Sequence, residues 1–326
     1  MSTLQTTRRG ILGLIGGLAI FRCAAPSSTP DTFTLIPGLE TGQTITYRLD
    51  QHVVRNGSLA HRSTARATVT IVDRVEGGWL ARWTTDYSQL LDADPRMKPL
   101  LHAMQRAWDG VPIDVLLDTA GGVSGLADVA ALRDLMSVSM ERLLAAMAND
   151  PALAPLLGTV RAALQPVLAN DTYIAQAVLK ELGILLGAMG REYKVGTPLE
   201  VRTRIASPLG TGEIPILGRF TIRAVDPRAQ LAKLGWLMVI DRRSAARLVS
   251  GELQETMEQL AAGVQQDGTP IDATRLADAA TAALDFDDQG EFEIDTATAW
   301  PTRVKHTRRV SNAEASRVDT VELTRI

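Results

Sequence analysis

The chain has 326 residues, 45% of them apolar and 22% charged, so it is globular and long enough for one large domain or two small ones. A formal net charge of -3, with no basic face interleaved with aromatics, argues against a nucleic-acid binder. Its single cysteine, Cys23, allows no disulfide, and no apolar run approaches the ~18–20 residues of a membrane-crossing helix.

The first informative stretch is Thr7-Arg8-Arg9-Gly10-Ile11-Leu12. Arg8 and Arg9 precede a weakly apolar run over 10–21, too short to span a bilayer and, with its four glycines, a poor core for an ordinary secretory signal; that signal, or a cytosolic protein with a disordered start, is the plainer alternative. It resembles the twin-arginine export consensus, with Ile11 in place of the usual Phe. That resemblance implies passage through the twin-arginine translocase to the periplasm or the outer face of the envelope. Cys23, followed by an Ala-Pro-Ser-Ser-Thr-Pro tether, resembles the acylated cysteine of a bacterial lipoprotein, although Arg22 departs from that motif. Simple cleavage after Ala25 is the other reading, with Cys23 then lost. Residues 1–25 are therefore expected to be a signal peptide, lipoprotein-type or not, and 26–32 a flexible linker.

A first strand-rich half is expected over 33–127. Ile45, Tyr47 and Leu49 alternate with polar residues, as do Ala67, Val69 and Ile71, and Glu76-Gly77-Gly78 turns into a third strand. Asp94-Pro95 opens a helix to Trp108, and a hairpin turns at Asp118-Thr119-Ala120-Gly121-Gly122. A helical block follows over 128–190. Asp128 is a good N-cap for a helix carrying Leu132, Leu135, Met136, Met140, Leu143, Leu144 and Met147 at three-four spacing. A second helix is predicted to about residue 169, and a third from Asp171 to a stop at Gly190.

The second strand-rich half, 191–326, echoes the first. Thr41-Gly42-Gln43 has its counterpart in Val195-Gly196-Thr197, Gly78-Trp79-Leu80 in Gly235-Trp236-Leu237, and Asp118-Thr119-Ala120 in Asp295-Thr296-Ala297. This points to duplication of a strand-rich unit, set against chance similarity between two meanders. Each half inserts helix, the second over 243–284. The fold class expected is α+β: one curved, half-barrel-like antiparallel sheet of about eleven strands, with helices on its concave face.

That architecture resembles the periplasmic lipoprotein carriers, the LolA-like group. The local match is Phe292-Glu293-Ile294-Asp295-Thr296-Ala297-Thr298-Ala299-Trp300-Pro301-Thr302-Arg303-Val304, similar to that group's late hairpin. The resemblance implies a greasy concave face able to hold an acyl chain.

Diagnostic catalytic motifs are lacking. His52, His61, His102 and His306 show no metal-ligand spacing and read as surface or turn histidines, although His52 and His61 fall on neighbouring strands. Gly122-Val123-Ser124-Gly125 is too short for a nucleophile elbow. The acidic run over 285–295 matches a calcium loop at three positions but puts Thr296 where a bidentate Glu is required; an acidic helix-to-strand turn with outward carboxylates accounts for it better. No catalytic residue, metal or cofactor is assigned. The ligand-lining candidates are Leu132, Leu135, Met136, Met140, Leu143 and Met147 with Trp83 and Trp236, although core packing explains the same faces. The expected function is non-enzymatic binding of an apolar small molecule, lipid or lipidated partner. The alternatives are a structural or assembly protein of the envelope and, last, an exported hydrolase.

Overall fold

The computed structural model describes residues 32–326, apart from 96–97, 152, 155–156, 159, 162–167, 169–170, 207–212, 241–284 and 312–315. Arg8, Arg9, Cys23, most of the predicted second helix and the insertion over 243–284 lie outside the described residues.

Strand β1 (Thr32–Leu35) is followed by the long meander β2 (Thr44–Arg55), β3 (Ser58–Val75) and β4 (Gly78–Ala93). Helix α1 (Lys98–Trp108) leads to the hairpin β5 (Ile113–Asp118) and β6 (Val123–Leu126). The helices α2 (Val129–Ala148), α3 (Asp171–Val178) and α4 (Lys180–Leu186) come next. The chain then forms β7 (Arg191–Lys194), β8 (Leu199–Ala206), β9 (Glu213–Asp226), β10 (Leu231–Ile240), β11 (Asp285–Asp295), β12 (Pro301–Ser311) and β13 (Ser316–Arg325).

Eleven of these strands make one sheet in the order β6-β5-β4-β3-β2-β13-β12-β11-β10-β9-β8, every pairing antiparallel. The sheet is open, with β6 and β8 at its edges. The first and last long strands, β2 and β13, meet in the middle, so the seam between the halves is an ordinary nine-residue ladder from Arg317↔Arg55 to Arg325↔Tyr47. Separately, β1 pairs with β7. The expected linker therefore gives way at Thr32 to a strand, because Phe33 and Leu35 find Tyr193 and Arg191 opposite them.

One face of the sheet carries the main core. Tyr47, Leu49, Val69, Trp83, Phe292 and Leu323 share a buried cluster with Leu182, Leu185 and Leu186 of α4. The single third helix expected over 171–190 is bent at Leu179 into α3 and α4, and the backbone bonds run through the bend: Leu179 donates to Ala175 at 2.8 Å and Gly183 to Leu179 at 2.6 Å. Helix α2 begins as expected, with the Asp128 carboxylate accepting from the Ala131 N–H at 2.8 Å.

The two strand-rich segments repeat one construction. Gly42 and Gly196, both at positive φ, each donate to an isoleucine on the next strand, Ile71 at 2.8 Å and Ile222 at 3.0 Å. Counted from that bond, Val72 and Arg223 are the bulged residues of β3 against β4 and of β9 against β10. The hairpin turns correspond as well. Asp118 caps the Ala120 N–H and Asp295 the Ala297 N–H; Asp118 N–H bonds to Gly122 O as Asp295 N–H bonds to Trp300 O. Ser124 and Thr302 then bulge from their strands and return a hydroxyl bond to Leu116 O and Glu293 O, each at 3.1 Å. In this register Trp236, opposite Phe220, corresponds to Trp83, opposite Val69. The Gly-Trp-Leu echo at Trp79 is therefore four residues out of step. The second unit extends the sheet in the same order as the first, with β13 as spacer between them.

Candidate functional site

Side chains directly opposite one another in an antiparallel sheet share a face, so the ladders define rows across the covered face. The apolar row runs Ala65–Leu49–Leu323–Val304–Phe292–Leu234–Ile222. Two residues along each strand, the row becomes Ser63–Gln51–Val321–His306–Gly290–Trp236–Phe220. Two further, it is charged: His61–Val53–Asp319–Arg308–Asp288–Met238. The last row has Arg55 opposite Arg317 and Val310 opposite Phe286. Polarity thus rises in steps from one end of the strands to the other.

The second row holds an aromatic run. Tyr193 meets Phe220 edge-on at 6.4 Å, Phe220 stacks on Trp236 at 6.1 Å, and Trp236 stacks on the His306 ring at 5.3 Å. Trp236 reaches His306 across β11 because Gly290 lies between them; a Cβ there would come within 3.0 Å of the indole.

His306 and Asp288 are 1% and 0% exposed. Nε2 of His306 bonds to one Asp288 oxygen, while Arg308 holds the other through Nε at 2.7 Å and a second nitrogen at 2.6 Å. A buried carboxylate is costly unless it is paired in this way. The remaining imidazole nitrogen, Nδ1, has no partner among the described residues. Glu181 of α4 accepts from Gln51 Nε2 at 3.1 Å, and burial raises its pKa, with the charges of Lys180 and His306 opposing. His61 is shifted down, first by burial and then by Arg317, Arg55 and Lys180, against the pull of Asp319.

These positions revise two expectations. The run over 285–295 is a continuous strand, not a turn, so period two sends Asp288 inward with Phe286, Gly290 and Phe292. His306 likewise falls on the inward parity of β12 with Val304 and is no surface histidine. Their signal was the alternation itself, obscured by the density of carboxylates. His52 and His61 lie on adjacent strands but one step apart in register, on opposite faces: His52 pairs with Arg62, His61 with Val53.

The predicted ligand-lining residues fall into two groups. Trp83 is buried in the main cluster, and Trp236 packs against it partly buried. Leu143 and Met147 of α2 instead join a smaller core with Ala103 of α1 and Leu153; Leu132 is buried, and Leu135, Met136 and Met140 are half-buried on the same helix. Two open hollows, each about 430 Å³, flank α1, one against Leu90 and Leu91 of β4 and the other against Ala146 and Leu153; both are lined by His102 and Arg106. Among the described residues no group of three or more His, Cys, Asp or Glu could hold a metal ion, and no helix is long and apolar enough to cross a membrane.

No protein-family model and no curated protein matches the chain. It is similar to a solved structure described as lipid–protein interactions in lipovitellin, with a TM-score of 0.36 and 6% identity. The match covers 88% of this chain and 25% of that one, so the chain spans about a quarter of that structure's length.

Proposed function

We propose that this chain is an exported envelope protein, without catalysis, that holds an apolar ligand or a lipidated partner between its sheet and its helices. The observation that carries this reading is the uninterrupted apolar row from Ala65 through Leu49, Leu323, Val304, Phe292 and Leu234 to Ile222, which crosses seven strands of an open sheet. An acyl chain laid along it gains about 0.8 kcal/mol per buried methylene. In this reading the sheet curls as a right-handed twist makes wide antiparallel sheets do, the apolar row lies on its concave side, and the helices close over it as in the LolA-like carriers. The matched halves descend from one duplicated unit. Arg8 and Arg9 supply the export address, and Cys23 is either the lipid-bearing first residue of the mature protein or lost with the signal.

An assembly role is favoured by a different observation: Leu237 and Val239, 40% and 38% exposed, stand on the opposite face of β10. Hydrolysis ranks last, because the imidazole with a carboxylate partner, His306, is 1% exposed and out of reach of a substrate.

Native mass spectrometry of the protein purified from its own envelope tests the proposal. A lipid-sized mass that delipidation removes is the expected result. An empty protein unchanged by delipidation would overturn it, and the same spectrum reads acylation of Cys23 directly.

A further inference from the structure

The charged end of the covered face holds more positive charge than its own carboxylates answer. Arg55 of β2 and Arg317 of β13 stand directly opposite each other on one face, an arrangement that is destabilising when nothing lies between the charges. Arg317 is answered by Asp319, through Nε and Oδ1 at 2.8 Å, and Asp319 is itself buried. Arg55 has no ion pair among the described residues. His61 of β3 sits one row inward, near enough to Arg317, Arg55 and Lys180 of α4 for all three to act on its charge. Two neighbouring carboxylates on this side of the sheet are engaged elsewhere: Asp288 of β11 with His306 and Arg308, and Glu181 of α4 with Gln51, its ionisation opposed by burial. Three permanent cations and an imidazole from four elements therefore converge with Asp319 as their counter-charge.

The backbone fixes this convergence. Asn56 and Gly57 make a two-residue turn with both residues at positive φ, which carries β2 into β3 and places Arg55 at the corner. The Asn56 N–H donates to Ser316 O at 2.8 Å, and its side-chain oxygen accepts from the Ser316 N–H at 2.7 Å, clamping that corner to the first residue of β13. Arg55 and Arg317 are thus held side by side before any ligand arrives.

We propose that Arg55, Arg317, Lys180 and His61 form an anion site at the end of the covered face, which receives the carboxylate or phosphate head of an amphiphile. The inference deepens the function proposed above and rests on it, since it assigns the chemistry of the ligand's head where that reading assigns its tail. The two guanidinium groups can each present paired N–H donors to an oxyanion, and Lys180 adds a point charge from the helix above. Two rows away lies the mixed row of Gln51 and Val321, and then the apolar row of Leu49 and Leu323. A head bound at Arg55 and Arg317 therefore starts its tail toward the apolar residues.

The test uses the mature protein with a neutral apolar probe, N-phenyl-1-naphthylamine, displaced in turn by dodecanoate, dodecyl phosphate and dodecanol; binding of inorganic phosphate is measured by calorimetry. Arg55→Gln/Lys180→Gln is the diagnostic variant, because neither residue has an ion pair among the described residues, and its melting temperature is checked against the parent. The expected result is displacement by the two acids at about tenfold lower concentration than by the alcohol, a preference that falls below about threefold in the variant while dodecanol is unaffected. Equal displacement by dodecanol and dodecanoate would overturn the anion site and leave the apolar reading standing. Phosphate binding without displacement by any of the amphiphiles would keep the anion site and overturn the apolar reading. Failure of every compound to bind would overturn both.

Discussion

Asp288, His306 and Glu181 put ionisable groups where apolar side chains would be the simpler choice. Asp288 is satisfied on both oxygens, so its cost is offset; His306 keeps one ring nitrogen without a partner among the described residues, and Glu181 leans over the same row from α4. Glu181 has a consequence that can be measured. Burial raises its pKa above the ordinary 4.5, so the unfolded chain ionises this carboxyl at a pH where the folded chain still keeps the proton. Its contribution to stability is thus full below the unfolded value and is lost as pH rises through the folded one. Glu181→Gln keeps an oxygen for Gln51 to bond and removes the ionisation. The variant is expected to melt at a higher temperature than the parent at pH 8 and at the same temperature at pH 4, read by circular dichroism. Equal melting at both values would mean that the carboxylate is not held against its ionisation.

At the scale of elements, the two bulged hairpins make a matched pair. Ser124 and Thr302 occupy the same step after an Asp-capped turn, and each returns its hydroxyl to a carbonyl across the hairpin at 3.1 Å. Ser124→Ala and Thr302→Val are each expected to cost about 0.5–1.5 kcal/mol in urea denaturation, the net worth of one such bond. A loss at one site alone would show that the repeat is one of shape and not of energy. Much of this scale was legible beforehand. The meander at 44–87, the Asp-Thr-Ala turns, the N-cap at Asp128 and a sheet of about eleven antiparallel strands all follow from alternation and turn chemistry. The register of the echo did not, because the turn between the paired strands holds two residues in the first unit, 76–77, and four in the second, 227–230, so equal spacing in sequence is not equal position in the ladder. Nor did the partner of α2: three-four spacing tells which side of a helix is buried and not what covers it, so Leu143 and Met147 lie against α1, apart from Trp83 and Trp236. The charged row was hidden for a related reason. Asp288, Arg308 and Asp319 each look solvated in their own segment, and only strand pairing puts them in one line, with both carboxylates buried.

For the whole molecule, the decisive contact is the seam at which β13 joins the two repeated units. Leu323 is fully buried there, opposite Leu49 of the first unit and Val304 of the second, so one side chain packs against both. Because the sheet is open at β6 and β8, its ladder among the described residues joins the first unit to the second only here, with β13 between β2 and β12; β1 and β7 pair outside that sheet. A sheet continuous through the seam should unfold as one body, whereas a weak seam would let each unit open alone. Leu323→Ala removes apolar volume from the middle of the apolar row, and the cost expected for a buried leucine is about 2–5 kcal/mol. In hydrogen exchange, the amides of β4 in the first unit and β10 in the second should lose protection together and by similar factors. Loss confined to one unit would mean that the halves are stable separately and that β13 merely bridges them. Joint loss would make the apolar row a single cooperative surface, which a ligand lying across both units requires.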